Sequence, residues 1–256
     1  MTRETWRTWI LVGVVAVLGA GAIAEQARDR RRAPKPMMQI EFSSLKQIER
    51  ECNGCARLVA MKRQGTWELT QPWYAPADAE KLAQLAAIPA SPLRRLLDPA
   101  PADPAAIGLA PPFATLKLDA HVLELGAAVP PQQDRYLRIG DRFGIVQDRF
   151  AALLTGPPES FVDPRPLAAL ATVGGNVLGQ PMTPEMHERW KSLVAARIEP
   201  LPRTFPGHTL DFTLANGKRQ VFQFDLRGDE LALLRQGVRV LYIIDAKERD
   251  ALGFSQ

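Results

Sequence analysis

Cys52 and Cys55 are the only cysteines in the 256 residues, and they stand at C-x-x-C spacing within "ECNGC". That spacing can serve three chemistries. As half of a metal site it supplies two thiolates where structural zinc takes four ligands. The histidines that would complete it, His121, His187 and His208, are nowhere paired three to five residues apart. As a redox centre it needs a helix N-terminus to lower the thiol pKa, yet "ARLVAMKR" follows, alternating like a strand. As a turn it is self-consistent. Asn53-Gly54 is a preferred centre for a two-residue type I′ hairpin turn, which sets Cys52 and Cys55 opposite each other across the strands. Their Cα atoms would then be about 5.5 Å apart, within disulfide range. The expectation is a disulfide in an oxidising compartment, with free thiols as the alternative.

The other reactive side chains form no recognisable set. Asp119 and Glu124, and again Asp225, Asp229 and Glu230, sit near strand turns, where acids are commonplace. No Ser-His-Asp order, phosphate-binding glycine loop or dinucleotide fingerprint accompanies them. No catalytic, metal or cofactor residues are therefore expected, and the chain reads as non-enzymatic. Trp67, Trp73 and Tyr74 cluster in sequence as candidates for an interaction or ligand surface, although core or interface packing is the commoner role for such aromatic residues.

The elements that must carry these residues are mostly strands. "QIEFSSLKQIER", "ARLVAMKR" and "GTWEL" alternate, and "PADAEKLAQLAAI" then carries Leu82, Leu85 and Ile88 at helical spacing until Pro89 stops it. "FATLKLD", "HVLELG", "RYLRIG" and "RFGIVQ" read as four short strands, and "DRFAALL" as a brief helix. "MTPEMHERWKSLVAARI" reads as a helix capped by Thr183, with Met186, Trp190, Leu193 and Val194 as its apolar stripe. A hairpin at Asn216-Gly217, two further strands and a short final helix complete the chain.

Two halves share this grammar. "LRIGDR" from Leu137 and "LRQGVR" from Leu234 match at an offset of 97 residues, and "ATLKLD" and "HTLDFT" match at 94. The expected architecture is α+β: an N-terminal transmembrane helix, then two related lobes from an internal duplication, each a mainly antiparallel sheet with a packing helix. The boundaries read as an anchor and basic segment at 1–36, a first lobe at 37–167 and a second, shorter lobe at 168–256.

The net charge of +4 is local, since "RDRRRAPK" carries five basic residues against one acid. Before it, "WILVGVVAVLGAGAIA" is almost wholly apolar, and Trp9, Ile10, Leu11, Val12, Val14, Val15, Val17, Leu18 and Ile23 would be its membrane-facing residues. The run is short against the roughly 20 residues usual for a span. It reads as a single-pass anchor, with a cleaved signal peptide as the alternative. The positive-inside count, Arg3 and Arg7 before and Arg28 to Lys35 after, favours a cytoplasmic body. The signal-like start favours export instead, giving an inner-membrane protein with its body on the periplasmic side. No aromatic-interleaved platform follows the basic run, so no nucleic-acid partner is expected.

The segments "GTWELTQPWYAPADAEKLAQLAAI", "DPAAIGLAPPFATLKL", "RYLRIGDRFGIVQ" and "SFVDPRPL" resemble the family labelled DUF4340, through the order and spacing of Trp67, Pro72, Ala77-Asp78, Gly108-Leu109 and Pro111. The resemblance covers residues 38–170 well and the second half loosely, and the cysteine pair departs from it. It implies a non-enzymatic, membrane-anchored extracytoplasmic accessory protein whose partners are subunits of an ABC-type transport assembly. Two alternatives stand beside it: a thiol-disulfide redox protein using Cys52 and Cys55, and a module binding a small molecule or glycan between the lobes.

Overall fold

The computed structural model describes residues 36–254 except Pro99, Ala102 and Gln132. The first sheet contains β1 (Gln47–Cys52), β2 (Leu58–Arg63), β3 (Thr66–Gln71), β4 (Ala75–Pro76), β5 (Leu93–Leu97), β6 (Ala114–Leu118), β7 (His121–Val129), β8 (Asp134–Ile139) and β9 (Arg142–Gln147). Helix α1 (Ala79–Ala86) lies between β4 and β5, and α2 (Ala151–Thr155) follows β9. The second sheet contains β10 (Thr172–Val177), β11 (Gln180–Pro181), β12 (Arg197–Pro200), β13 (His208–Leu214), β14 (Arg219–Arg227), β15 (Glu230–Arg235) and β16 (Val240–Ile244). There α3 (Pro184–Ser192) precedes β12 and α4 (Ala246–Ala251) follows β16.

Every strand pairing is antiparallel. The spatial orders are β4-β3-β2-β1-β6-β7-β8-β9-β5 and β11-β10-β13-β14-β15-β16-β12. Both sheets contain the same device: a helix, then a strand, then a four-strand meander whose last member returns to pair with that strand. In both, the meander's first strand also pairs with one from earlier in the chain, β1 or β10. The first sheet extends beyond β1 through β2, β3 and β4, whereas the second has only the two residues of β11 there.

The sequence match at 97 residues is an average of two registers. Leu137 pairs with Gly144 across the β8–β9 turn and Leu233 pairs with Tyr242 across the β15–β16 turn, so the second turn is two residues longer. Equivalent core positions are therefore 96 apart before the turn, Leu137 with Leu233, and 98 apart after it, Val146 with Ile244. Leu234, matched to Leu137 by sequence, faces a smaller cluster of Ala232, Leu241 and Ile243 covered by Leu201 and Phe205. A one-residue slip along a strand exchanges its faces, so the distinction decides which side chains are in the core.

The expected fold class needs correction. Of the described residues 44% are strand and 19% helix, and the fold is two antiparallel sheets with short helices. The described helices run only five to nine residues. At 1.5 Å per residue even the longest is far short of the roughly 30 Å hydrocarbon core. Among the described residues no helix is long and apolar enough to cross a membrane. The anchor read from Trp9 to Ile23 lies outside the described residues. The fold class is corrected to two antiparallel sheets with no spanning helix among the described residues, and the single-pass inner-membrane placement with a periplasmic body finds no support there.

Local chemistry fixes where the helices begin and where α1 ends. Asp78 caps α1 by accepting from the amides of Glu80 and Lys81, and Pro89 turns its far end into a single 3-10 turn at Ile88–Ala90. Thr183 caps α3 through the Met186 amide, with Pro184 as first helical residue. Asp245 caps α4 through the Glu248 amide. Leu82 and Leu85 from α1, Leu154 from α2, Trp190 from α3 and Leu252 beyond α4 enter one continuous core that includes both sheets. Trp190 meets Phe212 edge-on at 5.3 Å and Phe254 at 6.3 Å.

The proline-rich connection from β5 to β6 crosses the sheet where β7 lacks a side chain. A Cβ on Gly126 would collide with the Ile107 carbonyl oxygen and press on Leu109 and Tyr136. Gly126→Ala is therefore expected to destabilise by roughly 1–3 kcal/mol, the usual range for overpacking, measured by urea unfolding.

Candidate functional site

The "ECNGC" segment is a turn, but not the one its sequence suggests. The β1–β2 ladder ends at Arg50 opposite Leu58, and Cys52 pairs with Ala114 of β6, not with Cys55. The Cys55 amide donates to the Cys52 carbonyl at 3.4 Å, closing a four-residue β-turn inside the longer connection. Gly54 has φ +78° while Asn53 stays outside the left-handed region. That matches a type II turn, which needs positive φ only at its third residue, and excludes type I′, which needs it at both central residues. Cys52 and Cys55 are bonded through sulfur with Cα atoms 5.5 Å apart. After Cys55 the chain runs into β2 without forming a helix, so the dipole a thioredoxin-type thiol requires is missing at this position.

A bond closing so small a ring removes little freedom from the unfolded chain. Cys52→Ser with Cys55→Ser is expected to cost roughly 2 kcal/mol or less. The denaturant midpoint should fall modestly without a change in slope.

Beneath this turn lies a residue the spacing analysis passed over. Arg50 on β1 is 0% exposed. Its guanidinium donates to the Gly156 carbonyl at 2.6 Å and the Ala56 carbonyl at 3.0 Å, and stands 5.4 Å over the Phe161 ring. It forms no ion pair with a carboxylate among the described residues, and its Nε has no partner. Burial pushes its pKa down. Arg50 thus ties the cysteine turn to the segment after α2. The signal was present in the sequence: within "QIER" Arg50 occupies the same phase as Ile48, the inward phase of the strand.

The cationic residues around it have ordinary structural partners. Glu49, on the opposite face of β1, accepts from Arg57 at 2.7 Å and Lys117 at 3.3 Å, and the Arg57 bond holds its carboxyl below the usual range. Arg135 reaches Asp148 at 2.7 Å and the Gly126 carbonyl at 2.7 Å, and stacks over Phe113 at 4.0 Å. Each of these joins neighbouring strands or anchors the proline-rich connection.

The aromatic trio separates. Trp67 is buried and stacks on Phe42 at 5.4 Å. Trp73 is half-buried against the core. Tyr74 is 40% exposed, and its hydroxyl donates to Glu68 at 3.0 Å. Burial, then the Glu68 carboxylate, raises the Tyr74 pKa. Tyr74 lines an open cleft of about 690 Å³ with Arg63, Gln64, Thr66, Glu68 and Ala169. Behind Ala169, the largely buried Arg235 donates to the Ala168 carbonyl at 2.8 Å. The histidines are scattered over β7, α3 and β13, and His187 Nε2 lies 2.9 Å from the Thr172 hydroxyl. Among the described residues no group of three or more His, Cys, Asp or Glu could hold a metal ion.

No protein-family model, curated protein or solved structure matches the chain, so its resemblance to DUF4340 rests on the residues quoted above alone.

Proposed function

We propose that this chain is a non-enzymatic interaction protein, an accessory that binds other proteins of an ABC-type transport assembly. The observation that carries the interaction reading is where its side chains are committed. The cysteines close a turn, Arg50 holds two loop carbonyls, and Glu49 and Arg135 join strands. Meanwhile large apolar side chains, Leu96, Val122, Val173, Leu178, Val194 and Leu226, stand exposed on the scaffold. Of these, Leu96 stands on β5, a strand at the end of its sheet, where an exposed apolar side chain is open to another chain. The transport connection rests on the resemblance of Gly65 to Ile88 and the segments after it. Affinity isolation from the native host after mild crosslinking, read by mass spectrometry, should recover transport subunits in stoichiometric amounts. Recovery of the chain alone at high yield would overturn the proposal.

A second reading, a small-molecule or glycan module, is favoured by the Tyr74 cleft. An exposed phenol ring beside a carboxylate, an amide and a guanidinium offers a flat apolar face with donors and acceptors around it. Calorimetric titration with a panel of oligosaccharides tests it, and Tyr74→Ala should abolish any binding found.

A further inference from the structure

The strand edges of the two sheets differ in how they are protected. Exposed edges invite pairing with another chain, and folded proteins blunt them with charge, proline, bulges or brevity. At one end of each sheet the edge strand has two residues and a proline, Pro76 in β4 and Pro181 in β11. At the other end stand the topologically equivalent strands β5 and β12, and these have diverged. β12 neutralises its own cation: Arg197 bonds Glu199 at 2.8 Å and Glu230 at 2.5 Å, Arg227 lies 3.7 Å from Glu199, and the strand ends at Pro200.

β5, "LRRLL", keeps its charge uncompensated, which blunts it against like-charged strands but leaves it open to an acidic one. Among the described residues it pairs only with β9, and Arg94, Arg95 and Leu96 are exposed. Among the described residues Arg95 has no ion pair and Arg149 bonds only Gln147, while Arg94 reaches a single oxygen of Asp134 at 3.7 Å. A bulge displaces Arg94, after which Arg95, Leu96 and Leu97 pair regularly with Ile145, Gly144 and Phe143. Where the strand begins, Ser91, Pro92, Leu93, Arg94, Gln147 and Arg149 line a hollow of about 270 Å³ with two guanidiniums and no carboxylate.

We infer that the open side of β5 receives an extended acidic segment of a partner protein, added to the sheet as a further strand. Main-chain hydrogen bonds along Arg95 to Leu97 would supply the pairing, and carboxylates of the segment would meet Arg95, Arg94 and Arg149. A second copy of this chain is the poorer occupant, because pairing β5 with itself brings arginines against arginines. The inference rests on the interaction reading above and gives it a surface and a partner chemistry.

The test uses fluorescence anisotropy with a labelled peptide of alternating Glu with Val or Thr, a Lys-for-Glu counterpart, and the acidic peptide N-methylated at alternate residues. The acidic peptide should bind saturably and more weakly as salt rises. The Lys peptide should not bind, N-methylation should abolish binding, and Arg94→Glu with Arg95→Glu should weaken it about tenfold or more. Both arginines are exposed, so an unchanged circular dichroism spectrum is expected for that variant. Absence of binding overturns the inference, as does equal binding of the N-methylated peptide, which would mean charge attraction without strand pairing. A dimer in sedimentation that dissociates in the Arg95→Glu variant also overturns it, in favour of a second copy. In the affinity isolation, loss of partners from the double variant supports the edge. Retention of the same partners overturns the edge and leaves the interaction reading standing. No partner for either protein overturns both.

Discussion

Arg50→Ala is expected to lower stability by roughly 3–5 kcal/mol, from two lost charge-assisted hydrogen bonds and the cavity left by a large buried side chain. The guanidinium supplies two charge-assisted hydrogen bonds, to Gly156 and Ala56, and each such bond contributes about 1.5–3 kcal/mol. Its removal leaves two carbonyls short of donors and opens space beside Phe161. Working in the other direction, Arg50 is itself a desolvated charge with an unpartnered Nε and no carboxylate partner. Arg50→Met loses the same two bonds and the same desolvated charge but keeps most of the volume, so it should cost less than alanine by the packing difference alone, about 1–2 kcal/mol. Urea unfolding gives the totals, and amide exchange should quicken first in residues 52–58 and 156–161. A loss under about 1 kcal/mol for alanine would mean that water replaces the guanidinium, and the turn's dependence on Arg50 would have to be abandoned.

Trp190→Ala should be comparably severe, about 3–5 kcal/mol. The indole is 0% exposed and lies edge-on to Phe212 and Phe254. Its N–H finds no partner among the described residues, and the loss is chiefly one of packing. Because one core cluster contains residues of both sheets, the consequence should extend beyond the second sheet. Amide exchange through global opening in β6 to β9 should accelerate by the same factor as in β13 to β16, with one unfolding transition by every probe. Faster exchange confined to β13 to β16 would show two units that unfold separately.

What could be read from the sequence was what local chemistry decides. The meander strands alternate, the cap at Thr183 is a side chain beside its own helix, and the repeat was visible in "LRIGDR" and "LRQGVR". What escaped were β5, β10 and β12, with the two-residue strands β4 and β11. "LRRLL" shows no alternation, and its identity as a strand comes from β9, about fifty residues later. The one-residue face slip behind the 97-residue match escaped for a related reason, since only pairing across the turn shows that one loop is longer. The cysteine turn was placed between the right strands, β1 and β2, but as a two-residue type I′ turn, whereas the ladder already ends at Arg50 and Leu58. Asn-Gly favours a tight hairpin, yet Arg50 draws Ala56 inward, and β1 runs on beside β6 to Cys52. The Tyr74 cleft draws on residues 63 to 74 and on Ala169, a separation that no local pattern records.

The return of each meander to an earlier strand has a kinetic meaning. Leu93 meets Val146 and Arg197 meets Ile243, so β5 and β12 dock only after the whole meander between them and their partners has formed. Pairings that close long stretches of chain form late and slow the overall rate. β5 and β12 should therefore gain protection last in pulse-labelled refolding, after the hairpins β6–β7 and β13–β14. A ligand that extends the sheet at β5 would then bind only chains that have completed this final step, and in a mixture of folding and folded molecules it would mark the finished ones.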